Sequence, residues 1–231
     1  MPLNNYDDFV RILLQAGFSM ATGNIDGVYA VVPFGWSKEP RDSKIRWHTG
    51  DPETDPWEWR LRVLEERDDI AYGKLFFRKG GYITEEWYPY FLAIRRGGMD
   101  FAQAYQRGGV SSEAKIIYEI ISARGEAAFD EIKRLGAFSR EDKSRFEAAL
   151  TELQMKLYIT ICDIRQRISA DGRGYGWPVT VFCTTEAFWG EEVFDKGESI
   201  RPAEAEEAVA ERILALNPGA DRKKMIKFMR G

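Results

Sequence analysis

Histidine and cysteine are scarce in this chain: its 231 residues include one histidine and two cysteines. The chain therefore has few of the residues that nucleophilic catalysis by Ser/His or Cys/His pairs requires, and few of the ligands that a zinc site requires. Two cysteines also cannot form a disulfide framework, which is typical of a protein in a reducing compartment. We expect Cys162 and Cys183 to be free thiols.

The single histidine, His48, lies in an acidic loop. Asp51, Glu53 and Asp55 follow it, and a metal-binding loop is one interpretation of such a cluster. The spacing matches no strong metal-binding template, and a second histidine is lacking. A solvated loop is the interpretation we favour. The sequence therefore predicts no metal ion and no other cofactor.

The chain also lacks an excess of positive charge and a long apolar run. Its 33 Lys and Arg stand against 37 Asp and Glu, a formal net charge of −4, which argues against a protein that coats nucleic acid indiscriminately. The N-terminus shows no charged-then-apolar signal pattern, and no apolar run approaches the length of a membrane span. These absences predict a soluble, cytoplasmic protein with no membrane partner.

The centre of the chain carries three consecutive helix signals. A first helix is predicted from Ser112 to Gly125, a second ends at Gly136, and a third, longer helix follows a capping pattern at Ser139. The third helix has one apolar stripe at helical spacing, which is expected to face the core. This stripe consists of Phe146, Leu150, Leu153 and Leu157.

Two strand signals follow these helices. Apolar and polar residues alternate over Leu157–Cys162 and again over Trp177–Cys183, so the two segments can pair as antiparallel strands, with the two cysteines as possible cross-strand neighbours. Arg165–Gly176, between them, contains three Gly and three Arg and is predicted to be a solvent-exposed loop. Three helices followed by a hairpin with a basic tip are the arrangement of a winged helix-turn-helix.

The predicted fold class is α+β, mostly helical. A central winged-helix domain occupies residues 109–190. It follows a smaller Trp-rich module over residues 1–108 and precedes a helical C-terminal arm over residues 191–231. In winged-helix domains the third helix enters the major groove of duplex DNA and the wing contacts the backbone.

This geometry predicts which side chains would contact double-stranded DNA. The outward face of the third helix would carry Ser144 and, facing the bases, Arg145, Ala148 and Thr151. The start of that helix and the wing would contact phosphates through Arg140, Lys143, Arg165, Arg167 and Arg173. Duplex affinity depends largely on such phosphate contacts.

The charge balance of this region is the main objection to DNA binding. Residues 111–190 hold 11 Lys and Arg against 12 Asp and Glu, so the domain as a whole is not basic. Local clustering can still create a positive field on one face. The alternative is that these are solvated charges on a winged helix that binds other proteins and no nucleic acid.

Several segments together indicate a family. They are Trp57–Leu61, Tyr72–Leu75, Trp87–Phe91, Ser112–Lys115 and Leu150–Gln154. In these residues the chain resembles the AlkZ-type winged-helix proteins of bacteria, and in particular their short AlkZ-related members. The larger members are DNA glycosylases that remove bulky alkylated bases. The resemblance therefore implies a DNA-binding protein of regulatory or repair-associated type.

The chain departs from those glycosylases at the motif that positions the hydrolytic water. That motif is Gln-apolar-Gln or Gln-apolar-Asp, and none of the five glutamines here has Gln or Asp two positions on. These glutamines are Gln15, Gln103, Gln106, Gln154 and Gln166. No catalytic residue is therefore carried over, and a non-catalytic DNA-binding protein is predicted. A divergent glycosylase with another water-positioning residue is the alternative.

Two further features leave alternatives open. Seven aromatic residues could form either a core or a pocket that stacks a base, with Lys74 and Arg60 beside it, and we favour the core. They are Trp47, Trp57, Trp59, Tyr72, Trp87, Tyr88 and Tyr90. The helical tail after Arg201 is the candidate surface for a homodimer, which a palindromic DNA site would match.

Overall fold

The computed structural model describes residues 2–21, 27–32, 43–168 and 171–231. Its elements confirm the α+β class, because the chain is 51% helical and its strands pair antiparallel. In chain order they are α1 (Tyr6–Ala16), β1 (Phe18–Met20), α2 (Pro56–Glu66), β2 (Ile70–Phe76), β3 (Lys79–Thr84), α3 (Tyr88–Arg96), α4 (Phe101–Gln106), α5 (Ser112–Arg124), β4 (Glu126–Ala128), α6 (Phe129–Leu135), α7 (Lys143–Met155), β5 (Ile159–Ile168), β6 (Gly174–Thr184), α8 (Thr185–Trp189), α9 (Glu191–Ser199), α10 (Pro202–Leu216) and α11 (Arg222–Arg230).

The chain forms two compact units. The first unit comprises Met1–Gly98 together with Val193–Gly231, and the second comprises Met99–Glu192. Such units are defined by contacts and not by independent folding, so the three-domain division of the sequence stays a prediction. Among the described residues, none of the helices combines the length and the apolar character needed to cross a bilayer.

In the first unit, local sequence signals set the start of the fold. Asn5 caps α1 by accepting a hydrogen bond from the backbone N–H of Asp8 at 2.9 Å, and Gly17 ends the helix with a left-handed φ of 91°. The strands of this unit pair in the order β1-β3-β2. Phe9 on α1 stacks on the fully buried Trp59 of α2, with ring centroids 5.0 Å apart.

The hairpin of β2 and β3 turns two residues earlier than its glycines indicate. The sequence predicts a turn at Arg78–Gly81, but Phe77 and Arg78 form it, with φ of 51° and 61°. Gly81 lies in β3, opposite Gly73. A side chain at Gly81 would collide with the ring of Phe76, so this glycine serves a close approach inside the sheet and not the turn.

The C-terminal helices pack into the first unit. The guanidinium of the half-buried Arg95, on α3, donates to the carbonyl oxygens of Phe228 and Met229 on α11, each at 2.9 Å. It also donates to the carbonyl oxygen of Leu75 on β2, at 2.9 Å. One side chain thus joins α11, α3 and β2.

In the second unit, the helices and strands follow the predicted order. The helices α5, α6 and α7 precede β5 and β6, which pair antiparallel as predicted. One strand, β4, has no signal in the sequence pattern: it is three residues long, lies between α5 and α6, and pairs with β6 on the side away from β5. The fully buried Phe146 of α7 lies in the core of this unit.

The predicted loop over Arg165–Gly176 is wrong in its extent. The strand β5 continues to Ile168 and β6 begins at Gly174, so Arg165 and Arg167 lie on a strand and not at the tip of a loop. Residues 169–170 lie outside the described residues. Carboxylates on two neighbouring elements pair with these arginines: Glu126 on β4 pairs with Arg165, and Asp130 on α6 pairs with Arg167. Arginine and glycine content alone does not show such partners.

Candidate nucleic-acid interface

The solvent face of α7 is the surface on which the predicted base contacts lie. Ser144, Arg145 and Ala148 are exposed, as predicted. The opposite side of the helix is buried, because Phe146, Leu150 and Leu153 face the core. The first two turns of α7 therefore offer a hydroxyl, a guanidinium and a methyl group to a ligand.

Thr151 does not lie on this face, and the prediction that it points outward is wrong. The residue is 4% exposed, and its hydroxyl donates to the carbonyl oxygen of Glu147 at 2.8 Å. The start of α5 covers this half of α7: the hydroxyl of Ser111 donates to the carboxylate of Glu152 at 2.7 Å. Packing between helices, which the helical period does not reveal, removes the third turn of α7 from solvent.

The predicted cations of α7 form ion pairs within the protein. Arg145 pairs with Asp142 and also lies 3.5 Å from the Glu113 carboxylate, while Lys143 lies 4.0 Å from Glu147. Hydrogen bonds from Ser139 and the Arg145 guanidinium lower the pKa of Asp142. Asp142 therefore stays ionised at neutral pH, and much of the positive field of Arg145 is cancelled.

The arginines of the β5–β6 hairpin are paired in the same way. Arg165 pairs with Glu126 on β4 and, at 2.9 Å, with Asp163. Arg167 lies 3.4 Å from Asp130 on α6, and Arg173 lies 3.6 Å from Asp171. All three side chains remain at least 38% exposed, so each pair is a surface pair that a competing anion can reach.

Three cations at the end of α6 and in the turn before α7 lack such partners. Arg140, in the turn, is exposed and makes no ion pair or side-chain hydrogen bond with the described residues. The half-buried Lys133 and the exposed Arg134, in the last turn of α6, also make none, and neither was among the predicted contacts. The sequence signal that could have identified them is their position just before Gly136, because cations at the end of the second helix lie close in sequence to the start of the third.

The other candidate sites have structural roles. Asp55 is fully buried and caps α2, and within the described residues no three His, Cys, Asp or Glu side chains gather into a metal-binding group. Trp59 and Tyr88 are fully buried core residues, whereas Trp57 is 41% exposed and carries the Arg60 guanidinium over its ring at 3.5 Å. Both cysteines are free thiols.

Comparison with known proteins gives one finding. A family model described as AlkZ related matches residues 3–230, nearly the whole chain, which confirms the resemblance inferred from the sequence. No curated protein and no solved structure matches the chain.

Proposed function

The chain belongs to the AlkZ-related family, and from this premise we propose that it is a non-catalytic, winged-helix protein that binds double-stranded DNA. The family has DNA-repair-associated relatives, so the proposed role is regulatory or repair-associated. The absence of the Gln-apolar-Gln/Asp motif supports a role without base excision. In this proposal residues 112–184 are the winged helix, α7 is the recognition helix and the β5–β6 hairpin is the wing.

The observation that carries the proposal is the exposed face of the first half of α7, preceded by a turn that holds the unpaired Arg140. Recognition helices of this class contact base edges through their N-terminal residues. Ser144, Arg145 and Ala148 occupy that position, and Arg140 lies just before them. Arginine can bind guanine through two hydrogen bonds, and a small apolar side chain can contact the methyl group of thymine.

The ion pairs of the proposed phosphate contacts do not prevent binding. An exposed ion pair stabilises a protein by about 0–1 kcal/mol, so exchanging its carboxylate for a phosphate costs little. Arg165, Arg167 and Arg173 on the wing and Lys143 on α7 can therefore turn towards the backbone of DNA. Arg140 can do so without breaking any pair among the described residues.

A salt-dependent binding assay tests the proposal. Fluorescence anisotropy with a duplex of arbitrary sequence should give a dissociation constant that rises steeply between about 50 and 200 mM salt. Replacing both Arg145 and Arg165 by Ala should weaken binding by roughly tenfold. The matched control replaces Arg11 and Arg201, whose side chains are 41% and 79% exposed and each pair with an acidic residue three positions away. Equal affinity of the two double variants would overturn the proposed interface, and a protein that binds other proteins but no DNA would show no salt-dependent signal.

Two finer parts of the proposal have separate tests. Incubation with alkylated duplex DNA should leave no abasic sites, and their appearance would establish a divergent glycosylase instead. A homodimer would place two recognition helices on a palindromic site. The exposed Leu214 of α10 is the apolar candidate for such a contact, and its change to Asp should convert the dimer to a monomer in sedimentation equilibrium.

A further inference from the structure

The outer face of α11 has the densest group of unpaired cations among the described residues. Its apolar residues Met225, Phe228 and Met229 are buried, and its solvent side is basic. Four exposed cations of this helix make no ion pair or side-chain hydrogen bond with the described residues. They are Arg222, Lys223, Lys224 and Lys227.

The helix presents these cations in a fixed orientation. Arg95 holds its last turn through two backbone carbonyls, and the ring of Phe228 stacks on Phe76 with centroids 3.8 Å apart and planes 4° from parallel. Asp221 caps its first turn by accepting from the N–H of Lys224 at 2.8 Å. Because the backbone of α11 is already fixed by these contacts, it does not have to become ordered when a ligand binds, which lowers the entropic cost of binding.

The α11 surface is defined here by the four exposed cations of the helix: Arg222, Lys223, Lys224 and Lys227. The tip of the β2–β3 hairpin contacts the buried side of α11, where the ring of Phe77 lies 6.2 Å from that of Phe228.

The acidic residues of α10, the helix that precedes α11, do not neutralise this surface. Glu206 pairs with Arg230 at the far end of α11, and Glu204 pairs with Arg201 on its own helix. Glu207 and Glu211 make no ion pair with the described part of the chain. Among the described residues, no acidic side chain forms an ion pair with a cation in the first half of α11, unlike the cations of α7 and the wing.

We propose that the α11 surface binds the phosphate backbone of duplex DNA and supplies most of the electrostatic affinity of this protein. The inference rests on the proposed function in its choice of duplex DNA as the ligand. Charge complementarity favours this ligand, because four exposed cations around one exposed apolar residue, Ile226, match a row of phosphates better than an apolar partner. A membrane-binding helix inserts its apolar face, and the apolar face of α11 is already buried in the first unit.

The test measures how many phosphate contacts the surface makes. The slope of log K against log salt falls in magnitude by about 0.9 for each phosphate contact that is lost from duplex DNA. The full chain with Arg222, Lys223, Lys224 and Lys227 all replaced by Gln should therefore show a slope smaller by about 3.6. A fall of about 2 or more supports the inference, and a smaller fall overturns it.

Matched controls separate this effect from net charge and from folding. A second variant replaces Lys44, Lys196, Arg11 and Arg201 by Gln, which removes the same number of exposed cations outside the α11 surface. Its slope should stay within about 1 of the wild-type value. If the four-residue α11 variant does not fold, the pair Lys223→Gln and Lys227→Gln should lower the slope by about 1.8, and no change in that pair overturns the inference.

The outcomes distinguish this inference from the proposed function. If the α11 variant loses slope while the variant of Arg145 and Arg165 binds normally, the inference stands and the winged-helix contact falls. The opposite result retains the winged helix and overturns the α11 surface. A wild-type protein that does not bind duplex DNA overturns both, as does sedimentation with vesicles that contain phosphatidylserine in the absence of any DNA binding.

Discussion

Asp55 offers the sharpest test of how the first unit is held together. One carboxylate oxygen accepts from the backbone N–H of Trp57 at 2.8 Å and so caps α2. The other accepts from the N–H groups of Thr49 and Gly50, at 2.7 and 2.9 Å. The Asp55 side chain is fully buried, so its carboxylate is satisfied by these three donors and not by water.

The substitution Asp55→Asn should destabilise the protein by about 3 kcal/mol. The amide keeps one oxygen for the cap at Trp57 but directs an NH₂ group at two backbone N–H groups, which are left without an acceptor. Each unsatisfied buried donor costs about 1–3 kcal/mol. For a chain of this size the loss corresponds to a fall in Tm of roughly 6–12 °C.

The pH dependence gives the same prediction a second test. Burial alone would raise the pKa of Asp55, but hydrogen bonds from the N–H groups of Gly50, Trp57, His48 and Thr49 outweigh it and lower the pKa. Because the pKa of Asp55 is lower in the folded state, its carboxylate stabilises the protein fully at pH values above its pKa in the unfolded state, about 3.9. This stabilisation is lost as the pH falls through the pKa of the folded state. The gap between wild type and Asp55→Asn should therefore be constant from about pH 5 to 8 and close below about pH 4.

Thermal unfolding followed by circular dichroism at several pH values measures both effects. The matched control is Asp51→Asn, in the same loop, because Asp51 also accepts from its neighbours, Glu53 and Thr54, but is exposed. This control should cost less than about 1 kcal/mol, since water replaces the lost contacts. Equal destabilisation by the two substitutions, or a gap that does not change with pH, would refute the reasoning.

Three more substitutions have definite expected outcomes. Gly17→Ala should cost about 2–4 kcal/mol by urea unfolding, because φ at this residue is 91° and a Cβ would run into the indole ring of Trp87. Burial lowers the pKa of Arg95 to about 9, so its guanidinium stays charged at neutral pH. Arg95→Met should lower the free energy of unfolding by about 3 kcal/mol and raise the hydrogen-exchange rates of the backbone amides throughout α11. Unchanged exchange rates in α11 would contradict this role. Thr185→Val should cost about 1–2 kcal/mol because the buried hydroxyl donates to the carbonyl of Leu157 at 2.6 Å, and Thr185→Ser should restore most of it.

The parts of the fold that depend on local chemistry could be predicted from the sequence. The cap at Asn5, the stop at Gly17 and the inward stripe of α7 each follow from residues within one or two turns of each other. The antiparallel pairing of β5 and β6 follows from alternation on both strands. These features need no knowledge of a distant partner, and the structure confirms them.

The features that the sequence did not reveal depend on contacts between distant residues. The strand β4 is three residues long, and its pairing with β6 needs a partner more than 50 positions away. Thr151 is buried because α5 covers it, although its spacing is that of an outward residue. The extent of the wing was wrong because Arg165 lies on the paired strand β5, where its exposed side chain pairs with Glu126 on β4 and with Asp163.

The same distinction applies to the electrostatics of DNA binding. A paired arginine leaves its carboxylate behind when it turns to a phosphate, and that carboxylate then repels the DNA. Such a contact releases fewer counterions than a contact from an unpaired cation, and counterion release sets the salt dependence of affinity. Under the proposed function, Arg145 and Arg165 are therefore expected to set which sequence or backbone geometry is bound, and Arg140 and the α11 surface to set how strongly binding responds to salt. The identity of a cation's partner, more than the number of cations, decides its contribution, and the sequence gives only the number.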